Sequence, residues 1–466
     1  MRSGSGSQRR EGICSQTLKG LARAAVIVVG CGLIGCLPID RTPVETTPIF
    51  DRALAEADRV SRPASGRVRA GAAREDITPS SPVPLAGYGN RLGRPARGVH
   101  DRVFARALAL GVGERVVILV SVDLLAITDD LTAAVGALVR RDAPIPPDSL
   151  IVTATHTHSG PGAVARRVWE SFAAGEYDEA AFKALTGRIA RAALSAYRRM
   201  EPATIAWGDA EAPERIRNRM IPGGFADPAV PFLAVRRADG RPLAYLVNFS
   251  AHATVLKADN FMLSGDFPGA FERALERDGS VALYTAGAVA DQTASPPAAA
   301  DTFLAADAMG EDLARRVTAA LDALPAAAWQ SDAELGSWRL EVPLPPAQVK
   351  TSPRRRLPAL IADLFFDRRT SLALAVIGAR LLVGVPCDLS AEIGAAWKAQ
   401  AARLGRRAVI LGFANDYVGY VIPGMYYDTS HYEARLSFNG PDMDRYLTAV
   451  VARAFERVGR PVRTGP

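Results

Sequence analysis

Apolar positions along this chain fall into two alternating patterns: short continuous runs closed by turn residues, and longer stretches in which they recur every three or four residues. The runs 104–110 and 116–122 flank the turn Gly111 to Glu114 and predict a strand pair. Leu150 to Ala154 is too short for a buried helix and predicts a buried strand. A second pair is expected at 232–237 and 243–249, another strand at Val281 to Thr285, and further strands at 334–343, 371–377, 380–385 and 407–413. Helical periodicity occupies 129–141, 179–200, 267–277, 301–323, 388–404 and 441–457. Because the two patterns alternate from about Val68 onward, the expectation is an α/β protein, with layered mixed β-sheets flanked by helices in a single large domain over residues 67–466. Leu357, Leu360, Ile361, Leu364 and Phe365 also repeat at helical spacing, between Arg354 to Arg356 and Arg368-Arg369. That fits a core-facing helix with solvated ends, or a surface-seeking segment that touches anionic lipid.

The front of the chain follows neither pattern. Residues 1–35 carry five basic side chains against one acidic, then the apolar run Ala24 to Gly35, too short for a convincing spanning helix. This reads as a lipoprotein-type signal peptide, because Leu33, Ile34, Gly35, Cys36 resembles the bacterial lipobox in which the Cys is acylated. Residues 36–66, rich in Pro, Thr, Arg and Asp, then read as a tether. The implied location is the bacterial cell envelope, extracytoplasmic, with membrane attachment through lipidated Cys36. Only Cys387 then remains in the folded part, so no intramolecular disulfide is expected. The net charge of +7 would raise nucleic acid as a partner, but residues 1–35 supply +4 of it. With no basic block beyond Arg354 to Arg356, a nucleic-acid footprint is not supported.

Candidate chemistry lies where apolar strands stop. Of five His, two sit in Thr155, His156, Thr157, His158, Ser159, Gly160, Pro161, Gly162. Imidazoles at i and i+2 point to opposite faces if the strand continues, which suggests two different jobs. The Ser-Gly-Pro-Gly that follows breaks the strand and allows backbone to approach a ligand. His252 also closes an apolar strand, as does Asp388, whose competing role is N-cap of the next helix. Several such ligand types at strand ends in one α/β domain are what a metal site built by loops looks like, and zinc takes imidazole nitrogens and carboxylate oxygens while keeping a position for water. His100, beside Asp101, reads as a structural histidine.

These residues also carry a family resemblance. Ala72 to Thr78 with Gly87 to Asn90, Gly98 to Leu108, Thr155 to Gly162, Asn218-Arg219, His252, Ser264-Gly265-Asp266, and Asn415 to Tyr420 with Tyr432-Glu433 resemble, in order and spacing, the neutral (alkaline) ceramidase family. The resemblance implies a zinc-dependent amidase with one ion, held by His156, His252, Asp388 and Tyr420. It also implies that Tyr432, Arg219 and His158 contact the substrate and the developing oxyanion. Asp291 is then a candidate general base or water-orienting group.

The chain departs from the family pattern in three places. Where ceramidases read Gly-Asp-Val-Ser-Pro, this chain reads Ala290, Asp291, Gln292, Thr293, Ala294, so Thr293 is either a poorer nucleophile or a bystander to attack by water. The family's Glu ligand appears as Asp388. No counterpart of the additional C-terminal β domain follows the Tyr432 motif, which suggests a member made of the catalytic domain alone. The expected function is hydrolysis of an amide in a ceramide-like or other N-acyl lipid. The alternatives are a catalytically silent binding lipoprotein, or a hydrolase of another ester or amide on the same scaffold.

Overall fold

The computed structural model describes residues 36–276 and 279–461; the expected signal peptide lies outside the described residues. Twelve strands form one mixed sheet. In chain order they are β1 (Ala64–Asp76), β2 (Phe104–Val112), β3 (Arg115–Val122), β4 (Leu150–Ala154), β5 (Glu201–Glu211), β6 (Ala229–Arg237), β7 (Pro242–Phe249), β8 (Val281–Ala286), β9 (Asp332–Pro343), β10 (Arg369–Ile377), β11 (Arg380–Gly384) and β12 (Arg407–Leu411). The helices used below are α1 (Pro48–Asp58), α2 (Asp129–Asp142), α3 (Val168–Ala174), α4 (Glu179–Arg198), α5 (Asp266–Leu275), α6 (Thr302–Asp322), α7 (Ala391–Arg403) and α8 (Met443–Val458).

The long strand β1 joins the parts of the sheet. It pairs antiparallel with β2 over residues 68–76, with β9 over 64–67, and with the start of β5 at Arg69 and Ala70. The path runs β8-β7-β6-β5-β1-β9-β10-β11-β12, and β2, β3 and β4 continue from β1 as a branch. Apolar residues from strands of all three parts, among them Leu110, Leu119, Leu233, Leu246, Ala373 and Leu382, share one buried cluster. The sheet is therefore folded on itself, strand face against strand face. The outer faces are closed by helices: α2, α4, α5 and α6 over one, α1, α7 and α8 over the other. This is the layered α/β architecture expected from the alternating pattern.

Three neighbouring pairs are parallel, β3 with β4, β7 with β8 and β11 with β12. In an open α/β arrangement the carboxyl ends of parallel strands are where loops can build a site. His156 follows β4, His252 follows β7 and Asp388 follows β11.

Two expectations are corrected. The segment read as a tether is packed onto the domain: α1 starts with Pro48 at its first turn, buries Ala53 and Ala57 completely, and lies against α8 and β9. Its fully buried positions are alanines, and the Pro and Thr residues before it mask the start, so the composition of the segment hid a helix. The periodic stretch around 357–365 forms only a short helix at Ala359–Ala362. Leu357 and Ile361 are buried there, while Leu360 and Leu364 are exposed. Among the described residues, no helix is long and apolar enough to cross a membrane.

Candidate metal centre and substrate cavity

The strand β4 stops at Ala154, and His156 takes a left-handed backbone conformation with φ 63°. The strand alternation expected for His-x-His therefore does not apply, and both imidazoles turn to the same place: their Nε2 atoms are 3.2 Å apart. The ring of Phe413, itself at φ 57°, stacks on His156 with centroids 3.9 Å apart. Asn415, at φ 63°, pins its loop to β4 by accepting from the Val152 N–H at its Oδ1 and donating its own N–H to the Val152 carbonyl. Three non-glycine residues in this sparsely populated region, within one contact of each other, are strain of the kind that collects at functional sites.

The glycines around His158 have specific steric causes. A Cβ on Gly87 would lie 2.7 Å from the His158 ring, so Gly87, at φ 119°, makes room for that imidazole. Added Cβ atoms at Gly160 and Gly162 would meet the Asp123 and Ala174 carbonyls. The expected close approach of backbone to a ligand is thus an approach of backbone to backbone. Arg91, fully buried, ties this region together by donating to the carbonyls of Ala86, His158, Lys257 and Ala258. Ser264 and Asp266 brace the neighbouring turns: Thr157 donates to the Ser264 carbonyl, and Asp266 accepts from the N–H groups of Leu256 and Phe267.

His156 donates its Nδ1–H to the Leu125 carbonyl at 2.6 Å, and His252 donates its own to the Val289 carbonyl at 2.8 Å. A carbonyl can only accept, so both rings present a bare Nε2 on the other side, as metal-ligating histidines do. These nitrogens stand 3.7 and 3.5 Å from Asp388 Oδ1. His252 Nε2 and Asp388 Oδ1 are both buried and have no hydrogen-bond partner. Lone pairs facing a carboxylate oxygen repel one another unless a positive centre lies between them, so the residues fit a metal ion. Burial holds His156 at about 3 and pushes His158 and His252 well below the usual imidazole range, so all three are neutral. Burial raises Asp388 to about 7, against the pull of its hydrogen bond from Tyr417 and of the Arg219 charge.

Asp388 does not cap α7; Ser390 does, accepting from the Glu392 N–H. Tyr420 is brought beside Asp388 by a parallel pairing of Asp388–Leu389 with Tyr420–Val421. Its hydroxyl accepts from Arg219 Nη2 at 3.2 Å. Arg219 also donates to the Ala290 carbonyl and pairs with Glu433 at 3.0 Å, so its charge acts through Tyr420. The Tyr432 ring meets that of Tyr420 edge-on at 5.6 Å, and Tyr432 is 58% exposed, at the rim. His156, His158 and His252 offer nitrogens within 4.8 Å of one another, so His158 joins the possible ligand set.

A cavity of about 320 Å³ opens on this cluster. His156, His158, Tyr417, Tyr420 and Tyr432 line one part, and Leu125, Ala126, Leu131, Val164, Ala165 and Phe172 supply apolar wall. A larger cleft of about 570 Å³ beside Arg74 and Glu276 contains none of the candidate residues. Asp291 and Thr293 do not line the cavity. Asp291 accepts from Gln292 Nε2, the Ala391 N–H, Ser390 Oγ and, at 3.5 Å, Asn218 Nδ2. Thr293 pairs with Arg217 and bridges to His252 through backbone, and among the described residues no side chain hydrogen-bonds its hydroxyl. His100 behaves as expected, bonded to Asp101 and stacked on Phe303. Tyr417, Phe413, Arg91 and Glu170 were not singled out from the sequence. Only Tyr417 and Arg91 stood in or beside a quoted motif.

Residues 68–290 match the family model described as neutral/alkaline non-lysosomal ceramidase, N-terminal. A curated relative, the neutral ceramidase of Pseudomonas aeruginosa, is 27% identical over 217 residues, which are 43% of this chain and 32% of the relative. The match thus spans about a third of that relative's length. The solved structure of neutral ceramidase from Pseudomonas aeruginosa shares the fold with a TM-score of 0.75 at 21% identity, covering 86% of this chain and 76% of that one. A structure described as ceramidase complexed with C2 gives 0.73 at 21% identity, covering 86% and 77%.

Proposed function

We propose, from the match of residues 68–290 to the neutral/alkaline non-lysosomal ceramidase family model, that this chain is a zinc-dependent hydrolase of the amide bond in a ceramide-like or other N-acyl lipid. The observation that carries the reading is the unpartnered Asp388 Oδ1 facing the bare Nε2 atoms of His156 and His252 beside an apolar cavity. His156, His252, Asp388 and Tyr420 would hold one ion, with His158 alongside. A bound zinc supplies a Lewis acid for the amide carbonyl and lowers the pKa of water toward neutrality. The chain's own groups do the rest. Leu125, Leu131 and Val164 supply apolar wall along the acyl chain, Arg219 donates to the Tyr420 hydroxyl and so holds it beside Asp388, and Tyr432 offers a hydroxyl donor where negative charge grows on the carbonyl oxygen. Tyr417 donates to Asp388 Oδ2 at 2.8 Å and so fixes the direction of the free oxygen. Asp291 positions the start of α7, near Asp388, rather than acting as a base.

The test is metal analysis of the purified protein together with turnover on a panel of N-acyl amides. About one zinc per chain is expected, lost in His252→Ala together with amide hydrolysis. Metal retained without turnover on any amide would leave the silent binding protein as the better reading. A metal-free wild type would sink the zinc site. We also propose that Cys36 anchors the chain to a membrane, and Cys36→Ser should then move it to the soluble fraction; unchanged membrane association refutes the anchor.

A further inference from the structure

The α3 wall of the cavity holds two polar atoms with no assigned role. Glu170 is 7% exposed and lines the cavity. Its Oε1 faces Arg167 Nη1 at 3.3 Å, while Oε2 is buried without a hydrogen-bond partner. The indole Nε1 of Trp169, the next lining residue, is likewise buried and unpartnered. Leaving such a buried group unsatisfied is costly, and the neighbouring wall from Val164, Ala165, Phe172 and Ala173 is apolar. A plain hydrocarbon chain in this cavity would leave both atoms unpaired.

Burial, with Asp416 and Asp130 adding to it and Arg167 opposing, pushes the Glu170 carboxyl up to about 8. At neutral pH it is therefore mostly the uncharged acid, which can donate one hydrogen bond and accept another; an indole N–H can only donate. A group that both donates and accepts, and that carries no charge into an apolar cavity, completes the set. A hydroxyl does this.

We propose that Glu170 is a specificity-determining residue, assisted by Trp169, that selects substrates carrying a hydroxyl on the part of the amide held in the cavity. This rests on the amide-hydrolase reading above and narrows its substrate class. The hydroxyl can belong to the amine half or to the acyl half, and the chemistry is the same. Sites built to hydrogen-bond a hydroxyl reject the analogue that lacks it much more strongly than apolar pockets discriminate single methylenes.

Three probes separate the two halves: N-lauroylpropylamine, N-lauroylethanolamine with a hydroxyl on the amine side, and N-(β-hydroxylauroyl)propylamine with one on the acyl side. The quantity read is the ratio of kcat/KM for each hydroxylated probe to that for the plain amide, within each variant. The wild type is expected to favour at least one hydroxylated probe by about tenfold or more. Glu170→Gln, which still donates and accepts, should keep most of that ratio, and Glu170→Leu should bring it to about one. If the Leu variant does not fold, Trp169→Phe, which removes only the indole donor, should lower the same ratio. A wild type indifferent to both hydroxyls, or a preference that survives in the Leu and Phe variants, overturns the proposal. If no probe is turned over, the hydrolase reading fails separately, and dissociation constants of the same three probes, measured by calorimetry on the same variants, then decide the hydroxyl preference with the same expected ratios.

Discussion

Both oxygens of Asp291 accept bonds from the turn into α7, and this occupation separates two roles that the sequence left joined. Thr293 stands beside His252 through its backbone, and among the described residues no side chain hydrogen-bonds its hydroxyl. Thr293→Ala is therefore expected to keep kcat within a few-fold. A thousandfold loss, about 4 kcal/mol of barrier, at unchanged metal content would make Thr293 the nucleophile after all. Asp291→Asn should act differently: it weakens an acceptor for the Ala391 N–H and Ser390 Oγ, at a cost of about 1–3 kcal/mol of stability. Metal content should fall with it, because Ser390 is two residues from Asp388. The candidate ligands His156, His252, Asp388 and Tyr420 were legible as candidates because they end strands or stand in one of the motifs above. Glu170 was not, because nothing in the sequence shows which carboxylates the fold strips of partners. Phe413 was hidden for a related reason: its stacking on His156 depends on left-handed backbone at Phe413 itself, and a sequence that offers Gly412 beside it gives no reason to place that conformation on a phenylalanine.

At the scale of elements, strands with branched apolar runs were visible and strands made of small residues were not. The strands β3 and β4 carry Val, Leu and Ile in continuous runs, and β2, β8 and β10 are apolar over most of their length, which fits their near-complete burial between layers. The central strand β1 reads Ala-Ser-Gly-Arg-Val-Arg-Ala-Gly-Ala-Ala-Arg-Glu-Asp, with almost nothing to mark it as a strand. Its smallness has a steric cause at Gly71, where an added Cβ would lie 2.2 Å from the Ala196 carbonyl at the end of α4. The helix end is backbone and cannot rotate away. Gly71→Ala should lower the thermal midpoint by several degrees, since either β1 or α4 must shift. An unchanged midpoint would show that α4 is not seated on β1 in solution. The same smallness hid β5, whose Ala, Thr and Gly positions lie among acidic and Pro residues.

Over the whole molecule, the two ends of the described chain close one core. α1 lies against α8, with Val44, Ala53, Ala57 and Val60 in the same buried cluster as Tyr446, Leu447, Val450 and Phe455, and Arg453 pairs with Asp58 at 2.7 Å. A removable tether would leave stability unchanged, whereas deleting residues 36–60 from this arrangement should uncover the apolar face of α8. The expected result is a clear fall in the thermal midpoint and a tendency to aggregate, read by calorimetry and light scattering; a truncated protein as stable as the full chain would restore the tether. The same arrangement governs the order in which the protein can be completed during synthesis. A helix made among the first sixty residues has its partner near the last, so at the usual 5–20 residues per second α1 waits roughly 20–80 s before its apolar side can be covered. For that interval the nascent chain carries an unfinished core, and its maturation depends on whatever shields the leading helix until the trailing one arrives.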